Sequence, residues 1–278
     1  MSILVSVALA PFPSLSYGVR MKNKTNKISQ PLNTDEPTYF GFETVSADDK
    51  AKMVKGVFDN VASQYDIMND LMSFGIHRVW KSIFVDYLDP QPKTKLIDVG
   101  GGTGDIAFKF LKSGGEEVTV CDINYEMVNT GRDRAINKGI LTGIDWINGD
   151  AEDLPISKNA FDAYTTAFCI RNVTNIENVL SEAHRVLKPG GHFLCLEFSP
   201  VVLPILKKIY DTYSFNVLPW LGRVIVDDER SYRYLAESIR RFPDQGKFAT
   251  LIAKAGFKHV NYKSLSGGIV TIHSAWRI

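Results

Sequence analysis

The sequence predicts an α/β protein whose open sheet seats a nucleotide-like ligand, and three observations predict it. Leu96, Ile97 and Val99 form a short apolar run that passes at once into Gly100, Gly102 and Gly104. Ile106, Ala107, Phe110 and Leu111 then recur at helical spacing. A strand, a glycine turn and a helix N-terminus let a ligand approach the backbone closely and meet free N–H groups. Beyond Lys95, strand-like and helix-like segments alternate regularly, with polar residues at the strand ends. At 278 residues and 45% hydrophobic, the chain suits one large α/β domain with an appendage.

Composition excludes several classes. The net charge of +1 gives no basis for general binding to nucleic acid. Cys121, Cys169 and Cys195 fit no zinc spacing, and an odd count argues against a disulfide framework, so a reducing compartment is expected. No His/Cys/Asp/Glu cluster suggests a metal. No apolar run approaches the ~18 residues that span a bilayer.

In chain order, residues 1–38 form a separate tail. They hold Arg20, Lys22, Lys24 and Lys27 and no acid before Asp35, which reads as an organelle transit segment or a disordered tail. Residues 39–92 form an N-terminal cap, helical over 47–89, with Val54, Val57, Phe58 and Val61 on one face. Its polar groups Tyr65, Asp66, Asp70, His77 and Arg78 are too many for a plain core helix and suggest a lid. Residues 93–278 form the main domain. Its strands lie near 96–99, 118–122, 144–147, 161–168 and 192–198, with helices over 125–137 and 176–187. The second of these helices is expected to stop at Lys188-Pro189-Gly190-Gly191. A strongly apolar helical insertion follows at 200–245, then a helix ending at Gly256 and a closing hairpin from 260–262 and 269–276.

Asp98, two residues before the first glycine, suits a ligand bearing an ammonium and a sulfonium better than a pyrophosphate. This acid-plus-glycine pattern resembles the first motif of S-adenosylmethionine (SAM) methyltransferases. Asp122 lies 18 residues after Gly104, the interval at which an acid takes a ribose hydroxyl, although it could equally cap the following helix. Asp150, at the third strand end, can accept from an adenine amino group or serve a turn. Arg171 and Asn172 follow the fourth strand, where open α/β sheets hold ligands, and either point into the cleft or lie next to it.

Three stretches together resemble the ubiquinone/menaquinone biosynthesis C-methyltransferases. They are Tyr65 to Asp70 with Phe74-Gly75 and His77 to Lys81; Gly101-Gly102-Thr103-Gly104-Asp105; and Ile170 to Thr174 running on to Arg185 through Gly191. Leu196 to Ser199, Ser231 to Ile239 and Ala255-Gly256-Phe257 extend the likeness over residues 40–278. The resemblance implies a class I SAM-dependent methyltransferase, a Rossmann-like seven-stranded sheet with a reversed final hairpin. It implies SAM as cofactor, held at Thr103, Asp122, Asp150 and Ala151. Ala167 stands where bacterial members often carry Ser, and Cys169 where Gly is usual.

The implied reaction is methylation of a ring carbon of a polyprenylated benzoquinol in ubiquinone biosynthesis. A demethylmenaquinol substrate and a non-catalytic SAM-binding scaffold are the alternatives. Ring carbon is a weak nucleophile until a neighbouring hydroxyl ionises, and a free phenol has a pKa of ~10. Arg171 is the expected phenolate stabiliser; guanidinium does not deprotonate, so water, Asp66 or His77 takes the proton. Tyr65, Asp70 and Asn172 are candidates to orient the ring. The apolar insertion suits an isoprenoid tail. The resemblance further implies a homodimer, membership of a multi-enzyme quinone-biosynthesis complex, and peripheral contact with the matrix face of the mitochondrial inner membrane, or with a bacterial membrane from the cytoplasm.

Overall fold

A seven-stranded sheet with helices on both faces forms the centre of the computed structural model. The residues it describes are 37–61, 69, 70, 73, 75–200, 213, 217, 219, 220, 223 and 229–278. The N-terminal tail through residue 36, Tyr65 and Asp66 of the expected lid, and most of the apolar stretch 201–228 lie outside them.

The strands are β3 (Lys95–Val99), β4 (Glu117–Asp122), β5 (Ile144–Asn148), β6 (Phe161–Ala167), β7 (Leu187–Phe198), β8 (Lys258–Leu265) and β9 (Val270–Trp276). Their spatial order is β5-β4-β3-β6-β7-β9-β8. Strands β3 to β7 are parallel, and β9 runs antiparallel to both of its neighbours. Only one strand of the closing hairpin is therefore reversed. A small hairpin, β1 (Thr38–Phe40) with β2 (Glu43–Val45), precedes the cap and has no counterpart in the sequence reading.

The helical segment expected over 47–89 contains two described helices, α1 (Ala47–Val61) and α2 (His77–Leu88). Ser46 starts α1 by accepting the Asp49 N–H at 3.1 Å. The remaining helices are α3 (Asp105–Lys112), α4 (Tyr125–Asn137), α5 (Ile176–Val186), α6 (Glu229–Arg241) and α7 (Gln245–Lys254). Helix α5 stops one residue earlier than expected, and Leu187 already begins β7 by pairing with Phe161. Pro189, Gly190 and Gly191 thus lie inside a strand, across a register shift between Phe161 and Ala163. Pro is tolerated there because it sits where the ladder is irregular.

Alternation along the strands sorts side chains onto two faces. Leu96, Leu194 and Leu196 meet α2 and α3 through Trp80, Phe84, Val85, Ile106 and Phe110. Ile97, Val99, Phe193 and Cys195 meet α5 and α7 through Val179, Leu180, Phe248 and Ile252. The N-terminal helices are thereby part of the core on one face. Trp80 is the key: its Nε1–H donates to Ser266 Oγ at 2.8 Å, and its ring meets Phe198 edge-on at 6.1 Å. Trp80→Ala removes that anchor and leaves a cavity. Chemical denaturation should show a loss of ~3–5 kcal/mol; a loss below ~1 kcal/mol would mean that the cap does not depend on this residue.

Candidate functional site

The glycine loop leaves β3 beside the end of β6. Gly100 and Gly102 have φ of +65° and +55°, conformations that side chains with a Cβ seldom adopt. A Cβ on Gly100 would come within 2.1 Å of Cys169 Sγ. The two strand ends therefore meet at closest approach, with the Cys169 side chain lining the cleft there. Burial pushes this thiol's pKa up, so it stays protonated.

Asp122, at the end of β4, braces the loop. Its Oδ2 accepts the Gly102 N–H at 2.8 Å and its Oδ1 the Asn124 N–H at 2.8 Å. Burial raises its pKa, and those two N–H groups oppose the rise. Asn124, not Asp122, caps α4, its Oδ1 accepting the Met127 N–H at 3.1 Å. Gly100, Gly102, Asp122, Asp150, Ala151 and Asn172 all line one open cleft of about 900 Å³. Ala51, Lys55 and Phe58 of α1 and Phe168, Val173 and Thr174 are among its other wall residues.

Thr103 and Asp98 lie elsewhere, in a smaller cavity of about 290 Å³ behind the loop, which shares Gly100 with the cleft. Lys81, Asp105 and Ala167 also line it. The Thr103 hydroxyl accepts from Arg134, whose other nitrogen bonds Asp105 at 2.9 Å. Lys81 Nζ bonds the second Asp105 oxygen at 2.8 Å. Burial alone would raise the Asp105 pKa, but Lys81 and Arg134 outweigh it and hold the carboxyl below its usual range.

Asp98 is fully buried. One oxygen accepts from Thr165 Oγ1 at 2.8 Å, and the other has no hydrogen-bond partner. Burial pushes its pKa up to about 7, with Thr165 and Lys81 opposing. A buried carboxylate oxygen without a donor is costly, and an ammonium group delivered by a ligand would satisfy it.

His77 and Asp70 form a unit outside both cavities. His77 is buried, and its Nε2 lies 3.0 Å from Asp70 Oδ1; Asp70 also binds Arg78 through both oxygens. Burial lowers the His77 pKa, with Lys81 adding to this and Asp70 opposing, so the imidazole is neutral near pH 7.

Arg171, in the short turn Ile170–Asn172, lies next to the cleft and does not line it. Its Nη1 donates to Glu197 Oε1 and to the Phe168 carbonyl, each at 2.7 Å, and its guanidinium lies 5.3 Å from the Phe198 ring. Burial raises the Glu197 pKa and Arg171 pulls it back. Asn172 does line the cleft. Its Oδ1 accepts from Tyr234 Oη at 3.0 Å, and its buried Nδ2 has no hydrogen-bond partner. The sequence reading passed over Lys81, Arg134 and Tyr234 as site residues. Glu197 carried a usable signal, since it ends a strand as Asp122 does.

Fold and site together define a class I SAM-dependent methyltransferase, with S-adenosyl-L-methionine as its cofactor. The residues fit that group: the glycine turn brings backbone to the cleft, Asp122 stands at its wall, and a buried carboxylate oxygen awaits a donor. The model of the ubiE/COQ5 methyltransferase family matches residues 44–277, and the chain belongs to that family. It is 50% identical to the 2-methoxy-6-polyprenyl-1,4-benzoquinol methylase, mitochondrial, of Dictyostelium discoideum, over 92% of this chain and 91% of that one. It is 54% identical to the ubiquinone/menaquinone biosynthesis C-methyltransferase UbiE of Cereibacter sphaeroides, over 88% and 98%. Among solved structures, a SAM-dependent methyltransferase from Thermotoga maritima superposes with a TM-score of 0.60 at 19% identity, covering 81% of this chain and all of that one. That likeness concerns the fold.

Asp98 gives a signed pH prediction. Its folded pKa lies above its unfolded value of 3.8, so the ligand-free protein loses stability as pH rises from about 4 to about 7. Asp98→Asn should abolish that loss and stabilise the ligand-free protein at pH 8 by on the order of 1–3 kcal/mol. It should also weaken S-adenosylhomocysteine binding at least about tenfold. Thermal unfolding across pH and calorimetry read the two effects, and an unchanged affinity would remove Asp98 from the ligand's partners.

Proposed function

We propose that this chain methylates the ring carbon of 2-polyprenyl-6-methoxy-1,4-benzoquinol, giving the 3-methyl product, in ubiquinone biosynthesis. Its support is the identity of about half over nearly the whole chain with relatives named for that substrate. The observation in the site that carries it is Asn172. Asn172 lines the cleft with Asp122 and Gly102, and its buried Nδ2 has no hydrogen-bond partner.

Bound S-adenosyl-L-methionine supplies an electrophilic methyl on a sulfonium centre. Asp122 would hold the ribose, Asp150 and Ala151 the adenine, and Asp98 and Thr103 the amino-acid end. Asn172 Nδ2 donates to the quinol oxygen beside the reacting carbon, and Tyr234 fixes the amide in that sense. Arg171 acts from behind the wall. Its charge favours the phenolate without carrying the proton, and Glu197 holds it in place while offsetting part of its field. The proton passes to water or to Asp66; His77, buried against Asp70 outside both cavities, is not placed to take it. Tyr65 is a further candidate to orient the ring. Phe168, Cys169 and Val173 present apolar surface to the ring and exclude water.

The polyprenyl tail binds by area, each buried CH₂ contributing ~0.8 kcal/mol. The apolar composition of residues 200–245 suits that tail, and peripheral membrane contact is part of the proposal. The acid-poor tail and the mitochondrial relatives support a location at the matrix face of the inner membrane. A homodimer within a multi-enzyme complex is part of the same proposal. The Cereibacter relative, named for both quinones, supports demethylmenaquinol as a second substrate.

Purified protein assayed in parallel with the demethyl benzoquinol and demethylmenaquinol should methylate the former faster, read by mass spectrometry of the products. Inactivity on both would overturn the substrate proposal. Arg171→Met should lower kcat by ~10²–10⁴-fold with a smaller change in KM. Full turnover with an unchanged pH profile would remove Arg171 from the mechanism. The protein should also float with quinone-loaded liposomes in a density gradient; remaining in the soluble fraction would count against the membrane contact.

A further inference from the structure

Behind the cleft lies a separate open cavity of about 700 Å³, between the β1–β2 hairpin, helix α6 and the 171–176 segment. Val173 and Thr174 are its common wall with the cleft. Three cations line it: Lys50, Arg171 and Arg241. Among the described lining residues there is no carboxylate, and Thr38, Tyr234 and Ser238 add hydroxyls.

The charges in this cavity are unevenly compensated, Arg171 being paired with Glu197. Lys50 is 7% exposed, and its ammonium donates to a neutral acceptor, the Val173 carbonyl, at 2.6 Å. Burial lowers its pKa; Glu152 opposes this and Arg241 adds to it, so the two cations repel one another. Arg171 is 9% exposed, and its buried Nε has no hydrogen-bond partner although Nη1 is taken by Glu197. Arg241 lies over the Tyr39 ring at 3.4 Å. The nearby acids are committed elsewhere: Glu152 accepts the Thr174 and Asn175 N–H groups, and Glu237 accepts the Phe42 N–H at 3.1 Å. Buried cations are ordinarily paired, and a cavity of one sign with low-dielectric walls concentrates an anion.

We propose that this cavity binds a phosphate group, free or esterified, between Lys50 and Arg241, with the buried charge of Arg171 in its wall. A dianion relieves the repulsion among the cations. Tyr39 and Phe242 leave apolar surface for the carbon side of an ester. The site shares Arg171 and Tyr234 with the methyl-transfer reading, but Lys50 and Arg241 have no part in that reading, and phosphate binding does not depend on it.

The full chain, titrated calorimetrically with inorganic phosphate and with glycerol 3-phosphate at constant ionic strength, should show saturable binding. Lys50→Met and Arg241→Gln should each weaken it by about tenfold or more. Tighter binding of glycerol 3-phosphate would identify an esterified ligand, and equal binding the free ion. Arg241 is exposed, so its variant keeps the test open if Lys50→Met does not fold. S-adenosylhomocysteine binding in the same samples reports the cleft. Absent phosphate binding with that affinity intact overturns this site and leaves the methyltransferase standing, and so does phosphate binding that Arg241→Gln does not alter.

Discussion

The hydrogen bond from Gly102 N–H to Asp122 is the constraint on which the site depends. It ties the turn after β3 to the end of β4 and fixes the left-handed path that lets backbone face the cleft. Asp122's other oxygen holds Asn124, which starts α4, so one carboxylate sets both the loop and the helix beside it. Such charge-assisted bonds to backbone are among the stronger ones available to a protein. The parallel sheet places β6 next to β3 and delivers Cys169 and Asn172 to the same edge.

Behind this edge the protein keeps charge in dry places and pairs most of it. Asp105 is held by Lys81 from the cap and Arg134 from α4, so three chain segments meet behind the glycine loop. Arg171 and Glu197 form a second buried pair, which holds a cation beside the cleft without giving it to solvent. Removing one partner of such a pair leaves a buried charge and is strongly destabilising. Near the cleft Asp98, Arg171 and Asn172 each keep one buried polar atom without a hydrogen-bond partner. Unsatisfied buried groups at a cleft mark where a ligand contributes the missing bond.

Much of this was legible in the sequence because it is local. Helix α4 matches the expected 125–137, since periodicity and its capping region agree. Strand ends named Asp122, Asp150 and Asn172, the family resemblance added Ala151, and all four line the cleft. Where the reading failed, a local signal had two meanings. Pro189, Gly190 and Gly191 read as a helix stop, yet they continue a strand through an irregular ladder. The three-residue strands β1 and β2 are too short to carry a period. The partners of Arg171, Thr103 and Asn172 were out of reach for a different reason. Glu197, Arg134 and Tyr234 approach them from distant segments, and no spacing in one sequence encodes such a meeting.

The account stands on Asp122 as the residue that shapes the loop and also meets the ligand. Calorimetric titration of Asp122→Asn with S-adenosylhomocysteine tests it most directly. Loss of one charge-assisted contact and of the loop's brace predicts binding weakened by about 10–100-fold. An affinity equal to that of the unaltered protein would contradict it.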